Sequence, residues 1–242
     1  QFVLGLYPES QRLNAVNMQS HYGTVLHVAA MSGNLESLKT VLSIYPESER
    51  LQAVRMKDWF GRTALHYAAD SKTGECIRFL LSLYPESELL VHTAVNTCDR
   101  HGWTVLHRAA LSANAEAIQT VVNLYPGSER LRALNTTTFC GKTVLHCVAG
   151  SNEIECIKTV LSHFPESERL RAVRMMDDDG WTVLHCAAQT GNIEAIQTIL
   201  AVYPENERLQ ALNTVNRYGV TVRHLVAYSK NIECIKAVLS LL

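Results

Sequence analysis

Asp58-Trp59-Phe60-Gly61-Arg62-Thr63-Ala64-Leu65-His66-Tyr67-Ala68-Ala69 decides the fold of this 242-residue chain. Gly61 permits a tight turn, because a residue without Cβ enters left-handed backbone at little cost. Thr63 carries a hydroxyl suited to capping a helix amino terminus, which predicts a helix running to about Asp70. His66 stands where a capping box places Glu or Gln, so its ring can reach back to an orphan backbone donor. Ala68 and Ala69 are small enough to let a neighbouring helix approach closely.

The stretch recurs. Thr-x-Leu-His occurs at Thr24, Thr63, Thr104, Thr143 and Thr182, with a degenerate copy at Thr221-Val222-Arg223-His224, at intervals of 39, 41, 39, 39 and 39 residues. Tyr-Pro-Glu-Ser keeps the same period at Tyr7, Tyr45 and Tyr84. It persists as Tyr125-Pro126-Gly127-Ser128, Phe164-Pro165-Glu166-Ser167 and Tyr203-Pro204-Glu205-Asn206. A fixed period of this length predicts a solenoid, in which each unit buries its apolar face against its neighbours.

Two more helices per unit follow from the pattern. Leu35, Leu38, Val41, Leu42 and Tyr45 predict a second helix over Asn34–Tyr45, and Ile193, Ile196, Ile199, Leu200 and Tyr203 repeat it. Proline then stops that helix by forcing the preceding residue out of the α region. In Pro46-Glu47-Ser48-Glu49-Arg50-Leu51-Gln52-Ala53-Val54 the proline suits the first helical position and the glutamates suit the positive end of a helix dipole. Leu51 and Val54 share a face, as do Leu131/Leu134, Leu170/Val173 and Leu209/Leu212. A third, short helix of about two turns is therefore expected. The chain reads as one array over 1–242. Partial units cover 1–16 and 213–242, and full units cover 17–54, 55–95, 96–134, 135–173 and 174–212. The first copy lacks one residue between Gly23 and Thr24, and the third unit has two more near Leu89–Thr93. Arg223 occupies a normally apolar position, which predicts a distorted sixth unit. The chain begins in a second-helix tail at Phe2–Tyr7 and stops at Leu242, with no polar cap at either end, so a longer protein is expected.

The period alone suits HEAT or armadillo units as readily as ankyrin units, and the motif separates them. Asp58–Ala69 closely resembles the ankyrin signature Asp-x-x-Gly-x-Thr-Pro-Leu-His-x-Ala-Ala. Asp177-Asp178-Asp179-Gly180-Trp181-Thr182-Val183-Leu184-His185-Cys186-Ala187-Ala188, followed by Gly191-Asn192, resembles it as well. Valine or alanine replaces the signature proline throughout. The Tyr-Pro-Glu-Ser segment replaces the usual Gly-Ala-Asp end, adding about six residues per unit. The resemblance implies an all-α, ankyrin-type helical solenoid with two main helices and a third short helix per repeat, joined by short hairpin-like fingers. Enlarged units of this texture resemble those of effector proteins that intracellular bacteria inject into host cells.

Composition excludes several classes. The chain is 47% apolar and 19% charged with a net charge of −1, so nothing provides the basic footprint that nucleic acid or an anionic membrane requires. No apolar run reaches about 18 residues, and the first residues lack a basic, cleavable leader pattern. Seven cysteines, an odd number, point to reduced thiols and a cytoplasmic setting, which for an effector would be a host-cell cytosol. His27, His66, His107, His146, His185 and His224 hold one capping position and read as structural. Cys76, Cys156 and Cys234 share a slot with Ser37, Ala117 and Ala195, a small core position. Cys147 and Cys186 lie in successive units, and packed helices about 8–10 Å apart exceed the ~7 Å reach of a disulfide. No two-Cys, two-His spacing points to zinc, and the aspartates at 177–179 lack the alternation of a calcium loop. No phosphate-cradling loop or nucleophile elbow is present. The expectation is no enzyme, no cofactor and no metal.

The resemblance also places the contact surface. In ankyrin proteins the fingertips and first helices line a concave face. Carried onto this chain, those positions are Trp59, Phe60, Arg62, Asp70, Arg100, His101, Trp103, Leu111, Phe139, Lys142, Asp178, Asp179, Trp181, Gln189, Arg217, Tyr218 and Tyr228. Tryptophan, tyrosine and arginine are enriched at binding hot spots. Trp103 and Trp181, between Gly and Thr, can instead pack on the next fingertip. Trp59 and Phe60 lie on the other side of Gly61 and fit that explanation less well. The Pro-Glu-Ser-Glu-Arg ladder reads as a solvated face. The expected function is a monomeric scaffold that binds another protein, for an effector a host protein, and neither nucleic acid nor membrane. The competing readings are a non-catalytic regulatory or spacer region of a larger enzyme, and an enzyme with a concave-face site.

Overall fold

Threonine starts the first helix of every unit. In the computed structural model, which describes residues 8–71, 73–85, 88–229 and 231–239, Thr24, Thr63, Thr104, Thr143, Thr182 and Thr221 each sit at an N-cap with extended backbone. The Phe2–Tyr7 tail, the Glu86-Ser87 copy and Leu242 lie outside the described residues, as do the side chains of Leu89 and Leu90. Each cap forms the expected box, with the imidazole three residues on returning a bond to the N-cap backbone. Eighteen helices run through the described residues with no sheet among them, only isolated bridges such as Cys98–Thr104, Met176–Thr182 and Val215–Thr221 that pinch the fingers.

The chain forms two compact units, Gln1–Tyr125 and Pro126–Leu242. The N-terminal unit contains α1 (Glu9–Asn17), α2 (Val25–Met31), α3 (Leu35–Leu42), α4 (Glu47–Arg55), α5 (Ala64–Asp70), α6 (Glu75–Leu81), α7 (Glu88–Asn96), α8 (Val105–Leu111) and α9 (Ala115–Asn123). The C-terminal unit contains α10 (Gly127–Asn135), α11 (Val144–Ala149), α12 (Ile154–Ser162), α13 (Glu166–Arg174), α14 (Val183–Thr190), α15 (Ile193–Leu200), α16 (Glu205–Asn213), α17 (Val222–Tyr228) and α18 (Ile232–Leu239). Within the first unit α2, α5 and α8 stack in order, and within the second α11, α14 and α17 do the same. Small alanines allow the close approach: Ala68, Ala69, Ala109 and Ala110 are fully buried. Leu26, Leu65, Leu106, Leu145 and Leu184, one per repeat, are buried to 1% or less. Full burial of each such leucine stabilises by roughly 1.5–3 kcal/mol.

The second helix is shorter than its apolar pattern suggests. It starts one residue later than expected, at Leu35, because Asn34 is its cap: Asn34, Asn114 and Asn192 accept from the amides of Ser37, Ala117 and Ala195. It ends at Leu42 rather than Tyr45, and the last turn tightens, with Ile44 N–H bonded to Val41 O and Tyr45 N–H to Leu42 O. The tyrosine then turns inward. Tyr45 and Tyr125 donate to the Asn17 and Asn96 side chains at 2.8 and 3.0 Å, and Tyr203 donates to Val173 O at 3.1 Å. Each ties its helix to the third helix of the preceding repeat.

The third helices are present, with one shift in register. Pro46, Pro126, Pro165 and Pro204 are N-caps, not first helical residues: φ near −53° suits proline, but ψ near 145° keeps it outside the helix. The charged stretch also differs from a uniformly solvated face. Glu47 and Ser48 are exposed, whereas Arg50, Arg169 and Arg208 fold back half-buried. Their Nε atoms donate to Tyr45 O, to Leu161 O and Phe164 O, and to Leu200 O and Tyr203 O at 3.1–3.3 Å. A cation thus closes the carboxyl end of the second helix, the end that the helix dipole makes negative. The first helix of the sixth repeat keeps its capping box. Arg223 lies half-buried in an intact α17, with Nε and one Nη lacking a hydrogen-bond partner.

Candidate protein-binding surface

Each finger is built from its base. Asp58 is buried, and its Oδ1 accepts from the amides of Phe60 and Arg62 at 2.8 and 2.7 Å while Oδ2 accepts from Tyr67 OH at 2.7 Å. Asp99 binds the amides of His101 and Trp103 in the same way, and Arg62 Nε bonds its second oxygen at 3.4 Å. Asp177 and Asn216 repeat the turn, and Thr138 bonds only the Lys142 amide. In the shortened first finger Ser20 Oγ accepts from Tyr22 N–H, and Ser20 bridges directly to Gly23. The signature acid is therefore saturated by the turn, and the aspartate run at 177–179 is a fingertip. Positive φ at Gly61 (79°) completes the turn.

Fingers join through backbone and through histidine. Arg100 N–H bonds Phe60 O at 2.8 Å in the first unit; in the second, Asp178 N–H bonds Cys140 O at 3.0 Å and Arg217 N–H bonds Asp179 O at 2.8 Å. The capping imidazoles clamp the same junctions. Nδ1 of His27, His66, His146 and His185 takes the Thr amide, and Nε2 meets Met56 O, Trp103 O, Trp181 O and Val220 O at 3.0–3.2 Å. An amide only donates and a carbonyl only accepts, so each ring is neutral with its proton on Nε2. Burial holds all four below the ordinary histidine pKa, His66 down to about 4. Sequence reading found the first bond of each ring; the second joins residues 29–37 apart and depends on repeat stacking.

The candidate contact residues divide by how much of each is already engaged. In the first unit Trp59 is 66% exposed and lies under the Arg100 guanidinium of the next finger, 5.4 Å from the ring centre. Trp59 thus does meet its neighbouring finger, through a cation. Phe60 is covered on one side by Arg62, at 5.2 Å. Arg62 itself is held by Asp99, and Asp70 is held by Arg108, half-covered by Trp103. Burial raises the Asp70 pKa, and the Arg108 contact pulls it back. Trp103 stands edge-on to its own His107. His101 and Leu111 are exposed.

In the second unit Phe139 (69%), Tyr218 (66%) and Tyr228 (81%) are the open aromatics. Asp179 takes Arg217 at 3.1 Å and Tyr218 OH at 3.2 Å. Asp178 and Gln189 are exposed, Lys142 is half-buried, and Trp181 leans on His185. The fingers bring Trp59, Phe60 and Arg100 together in one unit, and Asp179, Arg217 and Tyr218 in the other. Leu111, Gln189 and Tyr228 sit on first helices, away from the finger tips.

Burial pushes the Cys156 thiol up to about 11 and Cys186 to about 12, far from thiolate formation at neutral pH. No three His, Cys, Asp or Glu side chains among the described residues are placed to hold a metal ion. No helix among them is long and apolar enough to cross a membrane.

Comparison with known proteins agrees with this architecture. The family described as ankyrin repeats (3 copies) matches residues 6–88, 26–129 and 120–208, and the chain belongs to it. Curated proteins provided no match. Ankyrin repeats are in general protein–protein interaction modules and typically non-catalytic.

Proposed function

We propose that this ankyrin-repeat chain binds a partner protein through its fingertips and the adjoining first helices. The observation that carries the reading is the contrast within each finger. The bases of the Trp59 and Tyr218 fingers are locked by two amide bonds to one buried side chain and that of the Phe139 finger by one amide bond to Thr138, while Trp59, Phe139 and Tyr218 project with about two-thirds of their surface exposed. Large aromatics held on a rigid frame lose little conformational freedom on binding, which is what a hot spot requires. The resemblance of the enlarged units to those of bacterial effectors extends the proposal to a host protein as the partner and a host-cell cytosol as the setting. The division of 1–242 into five full and two partial repeats is part of the same reading.

Affinity capture from a eukaryotic lysate tests it, comparing the wild type with a Trp59→Ala, Phe60→Ala variant and a Phe139→Ala, Tyr218→Ala variant. Loss of the same captured proteins from either variant is the expected result. Identical capture by all three would assign the chain a spacer role instead.

A further inference from the structure

One arginine slot occurs in both units with different company. Arg100 and Arg217 each follow the buried turn residue of their finger, Asp99 and Asn216, and each donates its amide to the preceding finger. In the second unit the preceding finger supplies the counter-ion: Asp179 holds the Arg217 guanidinium at 3.1 Å. In the first unit the position matching Asp179 is Phe60, and the one before it is Trp59. Arg100 lies over the indole, with no ion pair to a carboxylate among the described residues. Stacking occupies the flat face of a guanidinium and leaves its in-plane N–H fork free to take an oxyanion pair.

The surroundings share that sign. Lys57 and Arg100 are exposed on the first unit's fingers, and the neutral-counted His21 and His101 are exposed there too. Its finger carboxylates, Asp58 and Asp99, are buried at 6% and 3% exposure, with their oxygens taken by amides, Tyr67 and Arg62. Tyr22 and Trp59 add apolar area, 62% and 66% exposed, between these cations.

We infer that the first unit's fingertips receive an acidic protein segment, whose carboxylate occupies at Arg100 the place that Asp179 occupies at Arg217. This rests on the fingertip reading above and adds the chemistry of the partner. Trp59 holds the guanidinium and offers its free ring edge to an apolar residue beside the acid. Two exposed cations, Lys57 and Arg100, on a chain of net charge −1 suit a short acidic stretch better than a nucleic acid backbone.

Fluorescence anisotropy on the full chain tests this with three probes: a short labelled peptide pool with Asp or Glu at alternate positions, the matching Lys pool, and a single-stranded DNA of similar length. The acidic pool should bind in preference and weaken as salt rises. Arg100→Glu should weaken it about tenfold or more, and Arg217→Glu should not. Phe60→Asp, which installs the second unit's own carboxylate, should compete and weaken binding similarly, while Phe60→Asn should retain it. Tighter binding of DNA, equal binding of the Lys pool, or equal loss with Arg217→Glu overturns the inference. If the Trp59, Phe60 variant loses captured proteins but Arg100→Glu keeps them, the acidic assignment alone fails. If both keep them, the fingertip reading fails too.

Discussion

The two units are built from the same repeat, yet they treat the same arginine differently. At Arg217 the scaffold answers its own charge with Asp179; at Arg100 it offers an indole. Beneath, both fingers share a turn residue that takes two amides, an amide bond to the preceding finger and an imidazole clamp, although Asp99 also takes Arg62 while Asn216 Nδ2 is buried without a partner. The difference in what each arginine meets on the preceding finger lies in two tip residues, Trp59-Phe60 against Asp178-Asp179. Folding requirements stop at the base of the finger, and what lies above can take either character.

That claim can be broken by showing that the frames are not equivalent. The largest effect expected is at the clamp. His66→Ala leaves a buried amide and a buried carbonyl without partners and opens a cavity, about 4 kcal/mol in all. His224, exposed and bonded only to its own Thr221, should cost about 1 kcal/mol on the same change. Urea midpoints that move equally for both would remove the clamp from the argument.

Acid comes next. With the folded His66 pKa near 4 and the unfolded value near 6.5, the unfolded chain binds the extra proton between those limits. Stability contributed by the neutral ring is complete above pH 6.5 and declines as pH falls toward 4, by about 3 kcal/mol for this one residue. His27, His146 and His185 shift in the same direction, so both units should weaken together. Unfolding followed at neutral pH and near pH 5 checks this, and a loss confined to one unit in hydrogen exchange would separate them.

Glycine gives a smaller, sharper contrast. Gly141 (φ 76°) and Gly219 (φ 72°) share one turn position, but a Cβ on Gly141 would meet Asp178 N at 2.7 Å whereas one on Gly219 meets nothing within 4 Å. Gly141→Ala should therefore cost about 3 kcal/mol, combining backbone strain with a displaced finger, and Gly219→Ala about 1 kcal/mol from strain alone. Equal thermal shifts would mean that neighbouring fingers do not constrain each other. The smallest effect is at the exposed pair. Asp179→Asn should change stability by less than about 1 kcal/mol. It should nevertheless free Arg217 and confer on the second unit some affinity for the acidic peptide pool. Unchanged affinity there would weaken the equivalence of the two arginines.

Much of this frame was legible in the residues. Thr63 and His66 announce a capping box because both partners lie within one turn. Asn34, Asn114 and Asn192 prove to be caps of the second helices, a local role that the sequence reading, which began the helix at Asn34, did not assign. The third helix could be read from Leu51 and Val54, although proline sits one position earlier than its helix preference suggests. What escaped was non-local. The outer nitrogen of His66 finds Trp103 only because two repeats stack, and Arg50 turns back on Tyr45 through a bend that no periodicity encodes. At the candidate surface, sequence reading selected Trp59 and Arg100 separately. It could not show that one covers the other, or that Asp70 and Arg62 are already held by Arg108 and Asp99.

The finger base has a further consequence. One buried oxygen of Asp58, Asp99, Asp177 or Asn216 takes both amides that the turn would leave open, so the tip side chains carry none of that duty. Within each unit, tips can be rewritten singly with little thermodynamic penalty while the fold stays silent. Under the proposed function, each finger is then an interchangeable letter, free to drift toward a new partner without disturbing the frame beneath it.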